Sequence, residues 1–150
     1  MAEIQMMELP ALADAILFSR QHNTGGTPVP KEARMKFMLA VRLMCEEKFE
    51  EAEQMLLEGE KKAAAGNDQE NTAILMIGQG YFAVKAKRNA KAGAEKYIAA
   101  FETFRGIAGA AYTLAPLAAQ IAAIYKAVGE QAAADDWLKR AQELDALERQ

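Results

Sequence analysis

The chain is short of the residues that usually carry chemistry. Of 150 residues, one is cysteine, one histidine, one tryptophan and four are proline. A lone thiol, Cys45, cannot close an internal disulfide, which fits a reducing compartment. One cysteine and one histidine cannot supply the four ligands of the usual zinc sites. Long apolar runs are also missing: "LAPLAAQIAAIY" is too short and too alanine-rich to span a bilayer. The start, "MAEIQMMELP", lacks the basic residues and apolar run of a signal peptide. Nor is there an excess of positive charge. Eighteen Lys and Arg against 21 Asp and Glu leave a net charge of -3, which disfavours nucleic acid as a partner. These absences together predict a soluble cytoplasmic protein with no membrane span.

What is abundant is helix-forming: alanine, leucine, glutamate, lysine, glutamine and eight methionines. No segment alternates strictly between apolar and polar as a half-buried strand would. The expected fold is all-α, a single domain over residues 1–150 with enough chain to bury a core.

Helical periodicity divides the chain. Leu9, Leu12, Ala13, Ile16 and Leu17 form one stripe, and Pro10 suits a first turn, so residues 9–22 read as an N-terminal helix. "HNTGGTPVP" breaks the pattern and makes residues 23–30 a loop. Three helix-turn-helix pairs follow, over 31–66, 70–105 and 113–145. Gly66-Asn67-Asp68 ends one helix. Asn71 or Thr72 is the expected cap of the next, and Asn89 starts the one after it. "RGIAGAAYT" is a frayed end or a connection, and Thr113 would cap the helix that carries Pro116. Gly129 turns the chain into the last helix.

The pairs repeat one another. Their first helices share Leu39-Ala40 then Leu43, Ile77-Gly78 then Tyr81, and Ile121-Ala122 then Tyr125. Their second helices carry Ala52 and Leu56, Ala94 and Ile98, Ala134 and Leu138. A small residue at a crossing lets helices approach, and bulky neighbours fill the groove. With Gly129, Ala141 and Asp145 at matching spacing in the third pair, residues 33–145 resemble the tetratricopeptide repeat family. Gly59 replaces the later alanine in the first pair, and Ala94 falls about one turn late in the second, giving a period nearer forty residues. A generic α-solenoid or a plain helical bundle would share much of this pattern. The resemblance implies an α-α superhelix of about three pairs preceded by the N-terminal helix.

No reactive constellation stands out. His22 lies beside the loop with Ser19 one turn before it, the wrong geometry for a nucleophile and its base. Glu46 and Glu47 follow Cys45, and nearby carboxylates make a thiolate harder to form. The carboxylates of "EEKFEEAE" and "ADD" interleave with Lys48, Lys61, Lys62, Lys139 and Arg140 as on a solvated face. "GQG" at Gly78–Gly80 has no strand before it, and "KAKRNAK" from Lys85 reads as a solvated turn. In "GEQAAADDWLKRAQELD", Leu138 is expected in the groove and Trp137 half-buried. No catalytic residue, no metal site and no cofactor is expected.

The family presents its first helices on a concave face. Carried over position by position, the resemblance implies a groove of Phe37, Val41, Met44 and Cys45, then Leu75, Gln79 and Phe82, then Ala119, Ala123 and Lys126. The expected function is a non-catalytic module that binds an apolar segment of another protein or peptide in this groove. The alternative is a structural subunit, a homo-oligomer whose apolar face is buried by self-association. Leu9, Leu12, Ile16 and Leu17 make the N-terminal helix either a plug for the groove or a dimerisation arm. A small acidic helical-repeat chain of this design is similar in architecture, not in motif, to the tetratricopeptide-type class II chaperones of bacterial type III secretion.

Overall fold

In the computed structural model, residues 6–24, 31–107 and 112–149 are described, with 18–24 in backbone only. The described chain is all-α, with no strand. The elements run α1 (Leu9–Thr24), α2 (Glu32–Cys45), α3 (Phe49–Ala65), α4 (Gln69–Lys85), α5 (Ala90–Arg105), α6 (Ala115–Ala127) and α7 (Gln131–Glu148). The segment expected as a loop begins later than the sequence suggests, because Asn23 and Thr24 stay in α1. Its remaining residues 25–30, the side chains of Ser19 and His22, and the glycine–alanine stretch 108–111 lie outside the described residues.

Single left-handed residues make the turns between helices. Glu47, Asn67, Arg88 and Gly129 have φ of 60°, 52°, 53° and 83°. After three of them the next amide reaches back five residues: Lys48 to Leu43, Asp68 to Ala63 and Glu130 to Tyr125, at 2.8–2.9 Å. This bond satisfies a carbonyl that the helix end leaves open and reverses the chain into an antiparallel neighbour. Glu47, Arg88 and Gly129 turn the three hairpins α2–α3, α4–α5 and α6–α7, the Asn89 amide reaching Ala83 at 2.9 Å in the second, and Asn67 turns α3 into α4. The hairpins stack through α3 and α2 on α4 and through α5 on α6, in the packing of an α-α superhelix.

The crossings are built on small residues. Ala40, Ala52, Ala73, Ala94, Ala100 and Ala118 are all fully buried, interleaved with Leu56, Ile74, Ile77, Tyr97, Ile121 and Ile124. In α7 the inward residues are Ala134, Trp137 and Ala141. Trp137 packs edge-on against Phe101 of α5, centroids 5.1 Å apart, under the Arg140 guanidinium at 4.5 Å. Leu138, expected to fill the groove, is instead 48% exposed. One residue is 100° of helix, so the buried tryptophan turns its neighbour outward. Leu39, matched to the repeat, likewise faces solvent.

Two helix caps differ from expectation. The cap of α4 is Asp68, whose carboxylate accepts the Asn71 amide at 3.1 Å and the Asn71 side-chain nitrogen at 2.7 Å. Asn71 lies inside α4, past its first residue Gln69, and its side-chain oxygen accepts from Arg34 Nε of α2 at 2.6 Å. Arg34 also reaches Glu70 at 3.2 Å, and Glu70 accepts the Tyr112 hydroxyl at 2.7 Å. This chain of polar contacts ties the starts of α2 and α4 to the segment entering α6. Burial pushes the Asp68 carboxyl up, but the two bonds from Asn71 and the Lys31 ammonium outweigh it and hold the group below its ordinary value. At α6 the N-cap position falls on Leu114, not Thr113, and Leu114 has no side-chain cap of its own. Glu148, at the far end of α7, receives the Leu114 and Ala115 amides at 2.9 and 3.2 Å. That carboxylate also suits the positive end of the helix dipole.

Candidate functional site

Of the first helices of the three hairpins, α2 packs on α4, and α1 lies on both α4 and α6. Its stripe explains why. Leu9, Leu12, Ala13, Ile16 and Leu17 recur every three or four residues, and all five are buried, Leu12 and Ile16 to 0% exposure. Two hydrogen bonds fix its direction. The Met7 amide donates to Gln120 Oε1 at 2.8 Å, midway along α6. The Thr113 amide, just before α6, donates to the Ile16 carbonyl at 2.9 Å. So α1 runs antiparallel to α6.

Beside the start of α1 a recess of about 340 Å³ remains open. Leu9 and Pro10 wall it from α1, Val41, Met44 and Cys45 from α2, and Phe49 from α3. Tyr81 and Lys85, one turn apart on α4, complete it, with Glu8 and Glu47 at its edge. Its lining is therefore apolar, with two carboxylates and one ammonium around it. Burial raises the Tyr81 phenol above its ordinary value, and the Glu8 charge, the neighbouring Cys45 and a hydrogen bond with Glu8 add to the rise. The hydroxyl thus stays protonated at neutral pH.

The residues expected in the groove divide. Val41, Met44 and Cys45 line the recess. Phe82 is 6% exposed and meets the Phe49 ring edge-on at 6.3 Å, directly behind one wall. Phe37 and Leu75, at 4% and 0% exposure, are in the core and offer no surface to a partner. Phe37 packs on Gly78 and Leu75 on Gly59, where the missing side chain leaves room for the neighbouring helix's residue. Gln79 turns away toward α3, its amide nitrogen donating to Glu60 at 2.5 Å. Ala119 and Lys126 are exposed and Ala123 half-buried on α6, away from the recess. Sequence reasoning missed Tyr81, Lys85 and Phe49 as wall residues. Tyr81 and Lys85 carry a readable signal, an aromatic and a cation four residues apart on one face. Phe49 carries none, because only the turn after α2 brings it there.

Chemically, the site offers apolar surface with a few polar groups at the margin. Among the described residues no three His, Cys, Asp or Glu side chains gather where they could hold a metal ion. No described helix is long and apolar enough to cross a membrane. Neither any family model, any curated protein nor any solved structure matches this chain.

Proposed function

We propose that this chain is a non-catalytic interaction module, similar in design to tetratricopeptide repeat proteins, whose first-helix face receives an apolar helical segment. One observation carries the reading: α1, an apolar-faced helix of the chain itself, occupies that face over α4 and α6 with Leu12 and Ile16 fully buried. The resident helix defines what fits there, namely apolar side chains at i, i+3, i+4, i+7 and i+8 in the antiparallel direction. A partner segment of that pattern competes with α1, with the recess at Val41, Met44 and Tyr81 as its first foothold. Methionine adapts to different side chains, so Met44 suits a site that takes more than one sequence. Such a module would hold apolar partner segments in a chaperone-like manner.

The test uses the full chain with Leu12→Glu and Ile16→Glu together, which should release α1, and a fluorescent synthetic peptide of residues 6–24. Anisotropy should show the peptide binding this variant while the unsubstituted chain, its face already filled, binds far more weakly. Adding Val41→Glu should remove the binding. A variant that keeps its helical circular dichroism but leaves the peptide unbound would refute the proposal.

A further inference from the structure

The outward side of α2 carries a second apolar surface, on the opposite side of the helix from its core contacts. Phe37, Ala33 and Ala40 point into the stack, whereas Met35, Met38 and Leu39 are 59%, 55% and 42% exposed. At helical spacing these three lie together, flanked by the exposed Glu32 and Arg42. This is the first edge of the superhelix, where repeat proteins ordinarily carry a polar outer face. The last edge is polar: the exposed side of α7 bears Asp135, Lys139, Gln142 and the Arg149–Asp145 ion pair. Its exposed Leu138 and Leu147 stand nine residues apart, about 13 Å along the helix, and form no stripe.

We propose that the outer side of α2 is a two-fold interface, on which α2 of a second copy of this chain packs antiparallel. The order of residues along α2 is self-complementary. Met35 and Leu39 stand two positions either side of residue 37, and Glu32 and Arg42 stand five either side of it. A two-fold axis at that level sets Met35 against the partner's Leu39 and Glu32 against the partner's Arg42. Each contact then occurs twice, as an isologous interface requires. Met38, on one flank, lies near the axis and meets its own copy. Packing on α7 instead would place the methionines on charged groups and generate an open chain of molecules. The present ion pairs of Glu32 with Lys62 at 3.5 Å and of Arg42 with Glu46 at 3.6 Å are both exposed. Exposed pairs exchange partners at little cost, so they do not oppose the new ones. A contact about 21 Å long and one helix, about 10 Å, wide covers far less than the roughly 800 Å² per partner of a standard interface, so weak association, with dissociation at high micromolar or above, is expected.

Sedimentation equilibrium on the full chain, from micromolar to millimolar concentration, tests this. The mean mass should rise from 16.4 kDa toward twice that value and stop there. Leu39→Glu, at an exposed site, should weaken association about tenfold or more, with helical circular dichroism unchanged. Glu32→Arg and Arg42→Glu should each weaken it, and the two together should restore it by reversing both pairs. A mass that stays at the monomer, grows without limit or ignores Leu39→Glu would overturn the interface. A double reversal weaker than either single one would overturn the antiparallel register.

Discussion

The crossing of α4 and α5 makes a sharp prediction about stability. Gly80 and Gly93 face each other there with no side chain between the two backbones. A Cβ placed on Gly93 would overlap Val84 Cγ2 and stand 2.9 Å from the Gly80 carbonyl oxygen. A Cβ on Gly80 would stand 2.5 Å from Tyr97 Cδ1 and 3.0 Å from the Gly93 carbonyl oxygen. A side chain can rotate away from such a contact, but a carbonyl oxygen fixed in a helix cannot. Gly93→Ala must therefore push the helices apart, and overpacking of this kind costs about 1–3 kcal/mol. Alanine recovers about 0.5–1 kcal/mol of helix propensity, so the expected net loss is up to about 2.5 kcal/mol. For a chain of this size that lowers Tm by up to roughly 10 °C. Gly106→Ala is the control: φ is -79° at the end of α5 and the nearest atom is 3.5 Å from the added carbon. There the same substitution should stabilise by about 0.4–1 kcal/mol, through the entropy of the unfolded chain. The unfolded-state effect is common to both variants, so their opposite signs isolate the crossing. The Gly80→Ala, Gly93→Ala double variant should lose less than the sum, because helices already separated accommodate the second methyl. Urea unfolding followed by circular dichroism measures all of these. If Gly93→Ala is as stabilising as Gly106→Ala, the close approach is not what holds the hairpin together.

Asp68 and Trp137 supply two further predictions. Because the folded state holds the Asp68 carboxyl below its ordinary value, its contribution is present above that value and lost as pH falls through the folded one. Asp68→Ala should cost about 0.5–2 kcal/mol at neutral pH, and the gap from the unsubstituted chain should close in acid; a gap independent of pH would contradict the cap. Trp137→Ala should cost about 3–5 kcal/mol by emptying the contact with Phe101, whereas Leu138→Ala, half exposed next to it, should stay within about 0.5 kcal/mol. Thermal unfolding of the two variants decides the matter, and a larger loss from Leu138→Ala would mean that α7 is rotated from the orientation described.

Much of the fold was legible in the chain because its causes are local. The 3.6-residue periodicity, the strong helix formers and the residues that tolerate left-handed backbone act within one turn of helix. They place six helices in three hairpins, end α3 at Asn67, turn the chain at Gly129 and make Asn89 the cap of α5, where its side chain accepts the Ala92 amide at 3.1 Å. The stripe Leu9, Leu12, Ile16 and Leu17 was visible for the same reason.

What the sequence by itself could not determine depends on which helix meets which. Asn71 is a good local cap, yet α4 starts at Gln69 under the Asp68 cap, and the Asn71 oxygen accepts from Arg34 of another helix instead. Glu148 caps α6 from 33 positions beyond Ala115, a pairing that no window of sequence contains. The groove was the least legible feature. Helical spacing gives a residue's angle on its own helix, but whether that angle faces a partner or a neighbouring helix is set by the packing. Hence Val41 and Met44 open onto the recess while Phe37 and Leu75, on the same repeat face, disappear into the crossings at Gly78 and Gly59. The sequence alone determined that there would be helices, hairpins and an apolar first helix. Only the tertiary structure decided that the first helix lies on α4 and α6, because burial there is shared with helices that begin as far along the chain as Gln69 and Ala115.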